Sequence, residues 1–75
     1  MANDRYFMSR TSAVALLVDA RSRLVRELSD KPSHETQRHS DLIKDVERLL
    51  LDVRIGRTRE FDMIFPSNIH VIVSD

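Results

Sequence analysis

The chain has no cysteine and no tryptophan, one glycine and two prolines in 75 residues. Without cysteine there is no disulfide framework, no thiolate nucleophile and no cysteine-based metal site. A single glycine excludes a glycine-rich phosphate loop. No charge of one sign prevails, since twelve Lys and Arg balance twelve Asp and Glu. That balance argues against a simple electrostatic binder of nucleic acid or anionic membrane. There is also no apolar run of the roughly 18 to 20 residues that a membrane span needs. Residues 1–10 carry Asp4, Arg5 and Arg10 and lack a long apolar stretch, unlike a secretory signal. The expectation is one small soluble domain over residues 1–75, cytoplasmic, with no membrane association and no cofactor.

What the chain does have is helical patterning. Residues 11–30 read as a first helix, with Thr11 or Ser12 as N-cap. Its interior holds no Gly or Pro, and Asp19 and Arg23 stand four apart with opposite charge. Ala13, Val14, Leu16, Leu17, Val18, Ala20, Leu24, Val25 and Leu28 cover about 200° of its circumference. One helical neighbour needs only about 100°. The first helix is therefore expected to meet two neighbours.

Pro32 stops that helix or sits just beyond it. A second helix is expected over 33–55, starting near Ser33. Leu42, Ile43, Val46, Leu49, Leu50 and Val53 give it an apolar stripe about 120° wide. Gly56 stands where a left-handed C-terminal cap belongs. In residues 60–74, Phe61, Met63 and Phe65 alternate, as do Ile69, Val71 and Val73, which is strand patterning. Pro66, Ser67 and Asn68 are turn residues. This segment is expected to form a short β-hairpin or one extended arm, with residues 5–8 as a weak pairing candidate. The fold expected is mainly α: an antiparallel two-helix hairpin with a C-terminal β-strand or β-hairpin arm. Small size without disulfides or metal favours a homodimer.

Several residues stand out. Arg21 lies inside the apolar face of the first helix, either as an interface anchor paired with a carboxylate such as Asp45 or as a snorkelling side chain. Leu51 and Ile55 point away from the main stripe of the second helix, one turn apart, and offer a second contact surface. His34 and His39 are five apart, so they miss the i, i+4 spacing of a helical metal site. With His70 they are read as structural or surface residues. Arg54, Arg57 and Arg59 cluster around Gly56 and suit either the helix dipole or an anion or nucleic-acid contact. Nothing local arranges a nucleophile, a base and an orienting group, and a chain this short has little room for a ligand pocket. No enzymatic role is expected.

The function expected is a small interaction module that binds and regulates another protein, inhibiting or sequestering it. A bacterial or phage-encoded regulator acting on a host factor is an example. Its contact residues would be Val14, Val18, Arg21, Val25, Leu51, Ile55, Phe61, Phe65, Ile69 and Val71, with dimerisation through the first helix and the C-terminal arm. The alternative is a small dimeric DNA-binding regulator. The order of an N-terminal strand and two helices resembles the ribbon-helix-helix arrangement. A salt titration of DNA binding separates the two, since phosphate contacts give a steep negative slope.

Overall fold

The computed structural model describes residues 4–30, 36–65 and 67–74. Five elements follow one another: β1 (Asp4–Met8), α1 (Arg10–Ser29), α2 (Gln37–Arg54), β2 (Glu60–Met63) and β3 (Ile69–Val73). The helices pack on each other, and the strands form one mixed sheet in the order β1-β3-β2.

α1 starts earlier than the pattern suggested. Ser9 is its N-cap, and its hydroxyl accepts the Ser12 N–H at 3.1 Å. Thr11 and Ser12 lie inside the helix. The chain leaves β1 extended at Ser9, so the cap follows the strand directly. One face then buries Ala13, Leu17, Ala20 and Leu24 completely. These recur at i, i+4, i+7 and i+11, the spacing of a single helix face.

α2 starts later than expected. Thr36 precedes it, and the Ser40 N–H donates to the Thr36 carbonyl at 2.9 Å. The start at Ser33 is thus corrected to Gln37; Pro32, Ser33 and His34 lie outside the described residues. The segment before Gln37 has no aliphatic side chain to bury, and packing of an apolar face supplies most helix stability. The far end agrees with expectation. Gly56 takes φ +81°, the Gly56 N–H donates to the Val53 carbonyl at 3.2 Å, and the Arg57 N–H donates to the Asp52 carbonyl at 2.8 Å. This is the paired-bond Schellman ending that a left-handed glycine permits.

Residues 60–74 form the hairpin, one of the two expected alternatives, and residues 5–8 do pair with it; the correction is that the result is a three-stranded sheet rather than an arm. β2 and β3 pair antiparallel, with Phe61 opposite Val71 and Met63 opposite Ile69. β1 then pairs parallel with β3, with Tyr6 opposite Val71. β3 is therefore the central strand, flanked on both edges. Its sequence Ile-His-Val-Ile-Val is apolar on both faces save one residue, as suits a central position. Phe61, Met63, Val71 and Val73 face the helices and join the core of α1 and α2. The broad apolar stripe of α1 does meet two neighbours, α2 and β3. The second is the chain's own sheet, so the stripe no longer argues for a dimer.

The body measures 40 × 30 × 15 Å. It is a slab of two layers, helices over sheet. On the outer sheet face lie Arg5, Phe7, His70, Ile72, Glu60 and Asp62, since paired residues share a face.

Candidate interaction surface

The helical layer presents one candidate surface. Arg21 Nε lies 2.7 Å from Glu47 Oε2, linking α1 to α2. Asp45, the partner expected from the sequence, instead lines a groove between α2 and the β2–β3 connection. The two carboxylates differ because positions two apart on a helix point about 200° apart. On α1, Val14, Val18, Arg21 and Val25 form one row. On α2, Glu47, Leu51 and Ile55 form another at i, i+4 and i+8. The ion pair ties these rows together. Leu51 is 60% exposed, Ile55 57% and Val18 48%, while Val25 is 38% exposed. Val14 is half-buried against the core. Large apolar side chains thus flank a central ion pair whose two members are each about half exposed.

The remaining predicted contact residues fall elsewhere. Phe61 and Val71 belong to the core and are covered by their own chain. Phe65 and Ile69 are half-buried against that core. None of these four extends the helical surface. Arg54, Arg57 and Arg59 are exposed around the end of α2. Arg57 reaches back to Asp52 at 3.7 Å, and Arg10 Nη2 lies 3.6 Å from where a Cβ on Gly56 would stand. These cations sit where the helix dipole favours positive charge.

The outer sheet face holds an arrangement the sequence did not disclose. His70 Nδ1 lies 2.6 Å from Asp62 Oδ1, and its Nε2 lies 2.5 Å from Glu60 Oε2. Two carboxylates on alternate residues of β2 bracket one imidazole on β3. Both ring nitrogens must carry protons to satisfy both acceptors. The hydrogen bond to Asp62, then that to Glu60, holds the His70 pKa above its ordinary value, against a smaller opposing effect of burial. His39 has a different role. Its Nε2 lies 3.0 Å from Glu27 Oε1, joining the end of α1 to the start of α2, and its side chain is largely covered.

The groove beside Asp45 has a volume of about 300 Å³. Leu17, Leu24, Leu42, Val46, Leu49 and Met63 line it, together with Asp45 and Arg48. That is the low end of ligand-site volumes, though more room than chain length alone suggested. Among the described residues, no group of three or more His, Asp or Glu is placed to hold a metal ion. No described helix is long and apolar enough to cross a membrane.

A family model described as "Uncharacterized protein BTH_I2711-like" matches residues 4–75. The chain belongs to this family. No curated protein and no solved structure matches it. The match takes in every element, from β1 to β3. The ribbon-helix-helix order departs from this fold at β1, which pairs within its own chain, parallel to β3.

Proposed function

We propose that this chain is a small non-enzymatic module that binds another protein and regulates it, by inhibition or sequestration. One observation carries this reading. The two rows on the helical layer, Val18, Arg21 and Val25 on α1 and Leu51 and Ile55 on α2, are exposed, apolar at their flanks and joined by the Arg21–Glu47 ion pair. Contiguous exposed apolar side chains on a small soluble domain mark interaction sites. A helical face with a central arginine suits a protein partner, since arginine is enriched where interface energy concentrates. A homodimer belongs to the same reading, on grounds of chain length.

The test is binding by the chain and two variants in lysate from the native host. Leu51→Glu with Ile55→Glu should abolish capture of the partner and leave the helical circular dichroism unchanged. Arg21→Ala should weaken capture without abolishing it. Undiminished capture by the double variant would move the contact off this face.

A further inference from the structure

The sheet has two edges of different character. β2 carries Glu60 and Asp62 on its outer face. If two copies of β2 paired antiparallel about Phe61, Glu60 would stand opposite Asp62. Shifting the register by two residues sets Glu60 against Glu60 or Asp62 against Asp62. Like charges directly opposite destabilise a strand pair, so this edge repels its own copy.

β1 carries a single charge, Arg5, on that face. Tyr6 is 47% exposed and Phe7 72% exposed on this edge strand. The Ser74 N–H donates to the Met8 carbonyl at 2.8 Å, so the Met8 backbone faces β3. Backbone direction alternates along a strand. Asp4 and Tyr6 therefore also face β3, whereas the N–H and C=O groups of Arg5 and Phe7 point outward from the sheet edge.

We infer that two copies of this chain pair edge to edge, antiparallel, through β1, with the two-fold axis passing between their Tyr6 residues. This gives the homodimer of the proposed function a defined interface and rests on that part of the reading. A two-fold axis perpendicular to the sheet keeps each face continuous, so only residues of equal parity can stand opposite each other. An axis on any of the five residues satisfies that rule, but on Asp4 or Met8 it pairs a single residue, which leaves three centres. Centring on Arg5 sets arginine against arginine. Centring on Phe7 pairs only Tyr6, Phe7 and Met8 within the strands and sets Arg5 against Ser9, the N-cap whose side chain is held by Ser12. Centring on Tyr6 uses all five residues and sets Arg5 against the partner's Phe7, twice. That is also the pair whose backbone groups point outward, so it exchanges both hydrogen bonds of a closely bonded antiparallel pair. On the outer face each guanidinium then lies across from an aromatic ring, a cation–π pairing. The two Tyr6 residues form the intervening pair without mutual hydrogen bonds, about 4.5 Å apart at Cα. The result is one continuous sheet in the order β2-β3-β1-β1-β3-β2, with both helical layers on the same side and both faces of Arg21 and Leu51 left free.

The test is mass in solution by light scattering across a dilution series, using the full chain. The wild type should rise from 8.7 kDa toward twice that mass and no further. Phe7→Lys and Phe7→Glu are equally solvated in the monomer, but they meet the partner's Arg5 with opposite signs. Phe7→Lys should weaken dimerisation by on the order of tenfold or more, Phe7→Glu should retain it, and Arg5→Glu added to Phe7→Lys should restore it. Tyr6→Cys gives the chain its sole thiol; at that Cα spacing it should oxidise readily to a disulfide-linked dimer, and Phe7→Cys should do so far more slowly. A dimer indifferent to the charge at position 7 would overturn the β1 interface and leave the homodimer standing. A constant mass of 8.7 kDa would overturn both. Growth beyond the dimer would indicate head-to-tail pairing of β1 with β2 and also overturn the inference.

Discussion

Asp62 and His70 stand directly opposite each other across the β2–β3 pair, 2.6 Å apart between Oδ1 and Nδ1. Asp62 and Glu60 raise the folded-state pKa of His70. A raised pKa favours the folded state wherever the group is protonated. The contribution is full below the unfolded value of about 6.5 and is lost as pH rises through the raised folded value. Both carboxylates are more than half exposed, so solvent screens the pair and the effect is modest. Comparing urea midpoints of wild type and His70→Gln across this range should show the wild type more stable at acid pH, with the gap closing toward alkaline pH. A gap independent of pH would remove the imidazolium from the account.

Gly56→Ala should destabilise the chain by about 1–2 kcal/mol in urea unfolding. The added Cβ meets only Arg10 Nη2 at ordinary contact distance. The loss therefore comes from the backbone at φ +81°. Gly56→Asn, which tolerates the left-handed region better, should lose less.

Ser9→Ala should cost about 1 kcal/mol, the usual worth of an N-cap side chain. Thr11→Ala, one turn position inside the helix, should fall within about 0.5 kcal/mol of wild type. Equal losses at the two positions would place the cap elsewhere than Ser9.

Leu24→Ala and Leu51→Ala remove the same atoms from opposite environments. Leu24 is fully buried and Leu51 is 60% exposed. The first should cost about 2–5 kcal/mol and the second less than about 0.5 kcal/mol. Partner binding should respond in the reverse order, with the Leu51 variant losing affinity while its melting curve stays unchanged.

The helices were legible because their information is local. Leu42, Val46, Leu49 and Val53 repeat with the helical period, and Gly56 marks the end without help from distant residues. The strands were half legible. Alternation gave β2 and β3, but nothing in Arg5-Tyr6-Phe7-Met8 says that Tyr6 lies opposite Val71. Parallel pairing joins segments far apart in the chain, and local pattern carries no trace of it. The Glu60–His70–Asp62 cluster was hidden for the same reason, because two acids at alternate positions acquire a third member only once the hairpin register is known. The choice of Glu47 over Asp45 as the Arg21 partner required the rotation of α2 about its axis. In each case the missing quantity was a long-range register.

The parallel pairing of β1 with β3 also orders events during synthesis. Asp4 waits for Ile69 and Met8 waits for Val73. The α1–α2 hairpin needs nothing beyond Arg54 to close, whereas β1 has no strand to pair with until β3 has been made. β2 likewise has no strand partner but β3, so both edges of the sheet wait for it, and closing so long a loop as that between β1 and β3 is the slow kind of contact to form. Until that pairing, the exposed β1 of one nascent chain is available to another. Crowded polysomes, where unfinished copies lie side by side, are where β1 would meet a second β1 before its own β3.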